Sequence, residues 1–210
     1  MKWVLAGLTA LFLSLGAGAQ ETTPPDVLVR NVTNEVLEIV RRDKDIQSGN
    51  TRKAIELVEA KVLPNFNFAR MTQLAVARDW RQASPAQQKA LTDEFRTLLV
   101  RTYSKALTEY RSQTIDFKPV KAQPTDTDVK VRTEIKQSAA KPVELDYYLE
   151  KTAAGWKVYD IEVGGISLVT NYRESFASEV RNGGIDGLIK TLQTKNRGSA
   201  DAAAARAEKK

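Results

Sequence analysis

Asp146, Asp160 and Glu162 have the best claim to chemistry in this chain. They fall in two stretches that alternate as strands do, VELDYYLEK at 143–151 and WKVYDIEV at 156–163. Two carboxyls converging in one cavity are what general acid–base catalysis requires. The 210 residues contain no His and no Cys. That removes His/Cys zinc sites, Ser-His and Cys-His nucleophiles and histidine general bases. Carboxylate, Lys or Tyr chemistry is what remains. Alternation sets Asp146 with Glu144, Tyr148 and Glu150, opposite the apolar set Val143, Leu145, Tyr147 and Leu149. An acid on the polar face is badly placed for a cavity, and the expectation is a protein that is not an enzyme and needs neither metal nor cofactor.

The elements that would position those acids read as strands between helices. Residues 115–121, 129–136, 143–151 and 156–163 alternate, with turn-like stretches too short for helical crossovers between them. In the second, Val129, Val131, Thr133 and Ile135 oppose Lys130, Arg132, Glu134 and Lys136. A sheet polar on one face and apolar on the other is antiparallel and covered on one side. Pro119 marks an edge or a bulge in the first strand.

Before the sheet, Val29, Val32, Val36, Ile39 and Val40 recur at helical spacing. Asn50-Thr51 caps a second helix striped by Ile55, Val58 and Val62 and ended by Pro64. Phe66, Phe68 and Met71 lead into a shorter one. Ser84-Pro85-Ala86-Gln87 forms a capping box with Pro at the first helical position. From there Leu91, Phe95, Leu98, Leu99, Tyr103, Ala106, Leu107 and Tyr110 predict a helix of about 26 residues, about 40 Å long. After the sheet, Tyr172, Phe176 and Val180 predict a helix that stops at Gly183-Gly184. Ile185, Leu188, Ile189 and Leu192 supply the last one.

The ends are of another kind. Lys2, the apolar run at 3–15 and Ala17-Gly18-Ala19 have the order of a secretory signal peptide cleaved before Gln20. An uncleaved anchor is the other reading, though the run is short for a membrane span. Residues 20–25 form an exposed lead-in, 26–196 one domain and 197–210 a solvated, disordered Ala-rich tail. Without residues 1–19 the chain has 31 Lys plus Arg against 26 Asp plus Glu, a net charge of +5. That mild excess is scattered among acids, so nucleic acid is not the expected partner. With no Cys, no disulfide holds the fold and its stability must come from packing.

Helices, then strands, then helices describe an α+β domain with helices packed on one face of a mainly antiparallel four-stranded curved sheet. Its aromatic and aliphatic stripes either fill one another as plain core or enclose a ligand cavity. Periodicity alone favours plain core.

Three blocks decide between these. They are LPNFNFARMTQLAVARDWRQASPAQQKALTDEFRTLLVRTYSKAL at 63–107, VELDYYLEK, and WKVYDIEVGGISLVTNYRESF at 156–176 followed by GGIDGLIKTL. Together they resemble the MlaC family, also called toluene-tolerance proteins: periplasmic phospholipid carriers of an ABC lipid-transport system. The resemblance implies a nuclear-transport-factor-like cone with a deep apolar pocket that takes the acyl chains and leaves the headgroup near solvent. It also implies partners at both membranes: the lipoprotein MlaA with a porin at the outer one, and MlaD with its ABC transporter at the inner one. The carrier acts as a monomer that keeps outer-membrane lipid asymmetric, with phospholipid as its cargo. A periplasmic adaptor without lipid, or a cone-fold enzyme using carboxylates, are the alternatives.

On this reading the cavity is lined from the helices by Phe66, Phe68, Met71, Phe95, Leu99, Tyr103 and Leu107. The sheet adds Val131, Ile135, Leu145, Tyr147, Leu149, Val158 and Ile161, and the turn beyond it adds Ile166 and Tyr172. Alternation fixes two sets in the last strand, Val158 against Tyr159, Ile161 and Val163, but not which set faces the lipid. Gly164-Gly165 permits a sharp turn. Asp160 and Arg173 either pair to fix that turn or stand as separate surface charges. If the signal reading holds, mass spectrometry of the exported protein gives a chain beginning at Gln20. A mature species retaining residues 1–19 would identify an anchor instead.

Overall fold

A computed structural model describes residues 23–137 and 141–207, with side chains through Gly198. The signal peptide expected at 1–19 lies outside the described residues. Helix α1 (Pro25–Arg42) starts on Pro25, whose fixed φ suits the first turn. The short α2 (Lys44–Gln47) is capped by Asp43, whose carboxylate accepts the amides of Asp45 and Ile46. Asn50 caps α3 (Thr51–Leu57) as expected, accepting from the Lys53 amide. The helix widens into a π turn at Val58–Val62 and stops at Leu63–Asn65, where Pro64 cannot continue the ladder. Asn67 caps α4 (Phe68–Val76).

The capping box is formed at α5 (Pro85–Tyr103). The Gln87 amide donates to Ser84 Oγ at 3.3 Å, and the Ser84 amide donates to Gln87 Oε1 at 2.9 Å. Here the structure corrects the single 26-residue helix. α5 has 19 residues and yields at Ser104 to a separate turn, α6 (Lys105–Thr108). Thr92, Thr97 and Thr102 each donate a hydroxyl back to the carbonyl four residues earlier. Such bonds compete with the helix ladder and bend it, and Thr102 does so just before the break.

Among the described residues the sheet has five strands rather than four: β1 (Thr114–Phe117), β2 (Asp128–Lys136), β3 (Val143–Thr152), β4 (Gly155–Val163) and β5 (Ile166–Ser167). They lie in sequence order with every neighbour antiparallel. The extra strand is two residues long, too short to show as alternation. β1 is an edge strand that ends before Pro119, as a proline without an N–H requires. The final helical stretch, α7 (Arg173–Ala207), is broken at Gly184 (φ 67°, ψ −172°), so the two predicted helices are there. Its helical backbone runs on to Ala207, through residues expected to be a disordered tail.

Three apolar clusters hold these elements. The first joins α4, α5 and α7 around Met71, Leu91, Phe95, Leu99, Phe176 and Leu188. The second packs α1 against α2 and α3 through Val36, Leu37, Val40, Ile46 and Leu57. In the third, Val29 of α1 meets the sheet at Val131, Leu149, Trp156 and Val158. Phe66 packs against both the first and the third. A polar knot ties α4 to the sheet: Arg70 reaches Glu150 at 2.5 Å and Asp128 at 2.9 Å, and Asn67 donates to Glu150 at 2.6 Å.

Since the Ser84 cap serves the helix on which the first cluster is built, Ser84→Ala should lower stability by about 1 kcal/mol. A urea titration would show it as a lower midpoint at unchanged slope. An unmoved midpoint would mean that other contacts hold this helix end.

Candidate functional site

Residues directly opposite across adjacent strands share a sheet face. Strand pairing therefore stacks the inward side chains in rows. Two rows, Val129–Leu149–Val158 and Val131–Tyr147–Ile161, belong to the third cluster. Two further rows continue the same face toward the β2–β3 hairpin: Thr133–Leu145–Val163–Ile166 and Ile115–Ile135–Val143. Among the described residues, Ile135, Val143, Leu145 and Val163 are half-buried yet belong to none of the three clusters. They form an apolar patch with no core residue of its own. Ile115 links the patch to the second cluster, Tyr147 and Ile161 link it to the third, and the turn from Ile166 to Tyr172 leads to the first. Through these neighbours the patch adjoins the second and third clusters, and the chain beyond Ile166 runs on to the first.

A β-bulge settles which residues of β4 face inward. Tyr148 pairs with Asp160 but Leu149 pairs with Val158, leaving Tyr159 without a partner. The extra residue lets Val158 and Ile161 both face the interior, although strict alternation would separate them. Tyr159 instead packs toward the first cluster, with the Arg70 guanidinium 3.6 Å from its ring centroid.

The turn beyond β4 follows neither of the two arrangements the sequence left open for Asp160 and Arg173. Gly164 and Gly165 take φ values of 57° and 81°, open to glycine and strained for other residues. Asp160 does not pair with Arg173. Its carboxylate accepts the Ser167 hydroxyl at 2.6 Å and the Ile161 amide at 2.8 Å. Ser167 Oγ in turn accepts the amides of Val169 and Thr170. Arg173 donates to the Leu74 carbonyl at 2.7 Å, near the negative C-terminal end of α4, where a cation is favoured. Burial is the largest influence on Asp160 and raises its pKa above the usual carboxylate value, against its hydrogen bonds. The other strand acids are held on the outer face. Asp146 meets Lys130 at 2.5 Å, and Glu162 accepts the Tyr148 hydroxyl at 2.7 Å.

The remaining candidates divide by place. Phe68, Met71, Phe95, Leu99 and Tyr172 gather in the first cluster, where Phe95 meets Tyr172 and Phe176 edge-on at 5.1 and 5.2 Å. Phe66 and Phe68 stack at 5.8 Å. Leu107 packs on the second cluster. Tyr103 and Ile166 are the most open, 36% and 61% exposed. The Tyr103 hydroxyl neighbours that of Tyr172, and burial pushes its pKa up to about 12. The Tyr147 hydroxyl lies beside Thr33 of α1, and desolvation likewise pushes its phenol up to about 12. That contact brings the sheet against α1 beside the patch. Val143 and Val163 complete the patch; Val143 was visible in the apolar set of its strand, whereas alternation left the inward set of β4 open and only the bulge places Val163 on this face. The Thr33 and Ser167 contacts depend on chain folding and left no signal of their own.

The sequence profile of the MlaC protein family matches residues 30–194. The chain belongs to the MlaC family. It is 29% identical over 187 residues to the toluene tolerance protein ttg2D of Pseudomonas putida, covering 88% of this chain and 84% of that one. To the intermembrane phospholipid transport system binding protein MlaC of Haemophilus influenzae it is 23% identical over 197 residues, covering 91% and 92%. A solved phospholipid-binding protein of Ralstonia solanacearum, in complex with a phospholipid, superposes with a TM-score of 0.78. The two are 40% identical, and the match spans 85% of this chain and 99% of that one. The family resemblance and the α+β fold with an antiparallel sheet are therefore both established.

Because Asp160 is protonated more readily folded than unfolded, its contribution to stability improves as pH falls through the raised folded value. That contribution is lost as pH rises back through the same window. The stability difference between wild type and Asp160→Asn should shift toward wild type on acidification. A carboxyl titration by NMR with a midpoint at or below 3.8, the ordinary value, would refute this.

Proposed function

We propose that this protein is a periplasmic phospholipid carrier whose acyl-chain site is the unclaimed inner-face patch and the seam between the three clusters. The observation that carries the reading is that patch, Ile135, Val143, Leu145 and Val163. It is apolar and faces inward, yet lies outside every packed cluster among the described residues. A 40% identical protein of the same fold holds a phospholipid, which supports lipid as the occupant.

Transfer by this protein breaks and forms no covalent bond, so the chain needs no nucleophile, metal or cofactor. Its residues have two tasks. They shield the tails from water: two acyl chains carry about 30 methylenes, at about 0.8 kcal/mol each, so free passage is opposed by roughly 20 kcal/mol. They must also release the tails, so the site cannot outdo a membrane by much. A seam between clusters suits both. Side chains of the separate clusters part to admit the tails and close again behind them, while Phe66, shared by two clusters, keeps the walls in register. Tyr147, with Thr33 beside it, stands in the strand row next to the patch, where ester and headgroup oxygens would come. In this reading the carrier exchanges cargo with MlaA and its porin at the outer membrane and with MlaD and its transporter at the inner one. It thereby maintains lipid asymmetry.

Protein purified in native form and extracted with organic solvent should release phospholipid detectable by mass spectrometry. Leu145→Glu, shown by circular dichroism to be folded, should lose at least tenfold of that lipid. Full lipid in the folded variant would remove the patch from the site, and an empty wild-type protein would sink the carrier reading.

A further inference from the structure

We propose that the open edge of β2, residues 128–132, is a docking groove for an extended acidic peptide segment of a partner protein, which adds to the sheet as another strand. β1 pairs with β2 only from Thr133 to Lys136. Beyond that, the Lys118 amide still donates to the Arg132 carbonyl at 3.0 Å, so the even-numbered residues of β2 turn their backbone groups toward this edge. After Lys118 the chain leaves the ladder, although Val120 still packs against the third cluster. The backbone N–H and C=O of Lys130 and Asp128 on this side have no hydrogen-bond partner among the described residues. Between the departing residues 119–121 and β2 lies a hollow of about 380 Å³.

Charge selects the occupant. Of the acids around the hollow, Asp128 is paired with Arg70 at 2.9 Å, while Asp126 accepts the Gln123 amide at 2.8 Å and keeps its charge, so the lining sets Lys121, Lys130 and Arg132 against Asp126 and Asp128. Lys130 is held by Asp146. Lys121 and Arg132 line the same hollow, are exposed, and have no ion pair among the described residues. Their free charge faces a strand-sized gap about 16 Å long, five residues at 3.3 Å each. An added strand would gain main-chain bonds from Lys130 and Asp128, and carboxylates at alternate positions would meet Lys121 and Arg132. A second copy of this edge would bring like charges together, so the same cations disfavour self-pairing.

The test uses the full mature chain and two blocked heptapeptides, one alternating Glu and Val and the other Lys and Val. The Glu–Val peptide should slow hydrogen exchange at the Lys130 amide at least tenfold at saturation, and the Lys–Val peptide should not. Lys121→Glu/Arg132→Glu should reverse that preference while keeping the co-purified phospholipid, which separates this edge from the cargo site. Failure of both peptides to protect Lys130 would mean that the edge is merely guarded, and overturns the proposal. So would protection by phosphatidylglycerol vesicles in place of peptide, which would assign the groove to a membrane.

Discussion

Burial of one sheet face by helices that cover only part of it is the interaction on which this structure depends. Val29 of α1 closes over Val131, Leu149 and Val158 at one end of the sheet. Toward the β2–β3 hairpin the same apolar face continues half-buried and, among the described residues, joins none of the core clusters. A partly exposed apolar face is costly in water, and a fold that keeps one needs stability from elsewhere. Here it comes from the two helical clusters, the capped helix ends and the Arg70–Glu150–Asp128 knot that ties α4 to the sheet.

The chain contains no His and no Cys. The acids that drew attention first each have an occupation in the structure. Asp146 and Glu162 belong to an outer lattice with Lys130 and Tyr148. Asp160 holds the turn after β4 through Ser167. Their positions turn the polar face outward and close one corner of the sheet, leaving the inner face to apolar side chains.

Much of this was legible in the residues. Period-two patterning gave the three long strands β2, β3 and β4 and the inward sets of β2 and β3, because a sheet apolar on one side leaves that record in every second position. The Ser84–Gln87 box marked the start of α5 and Pro64 the end of the helical run that begins with α3, each through backbone chemistry local to a few residues. What escaped depended on contacts distant in sequence or on too few residues to form a pattern. β5 has only two residues, and the Asp160–Ser167 bond exists only after the glycine turn has formed. Thr33 meets Tyr147 more than a hundred positions away. The break at Ser104 has neither Gly nor Pro to announce it. Arg173 looked like a partner for Asp160 because both flank the turn, but the carbonyl end of α4 stands in reach and takes it.

The unmatched Tyr159 makes the number of residues in β4 matter as much as their kinds. One surplus position converts a simple odd–even code into a phase change, so that hydrophobic side chains before and after it present themselves to a common interior. Evolution can exchange valine for isoleucine along this strand with little penalty. A frame slip of a single residue would instead rotate half of it and bring Asp160 and Glu162 into the greasy interior.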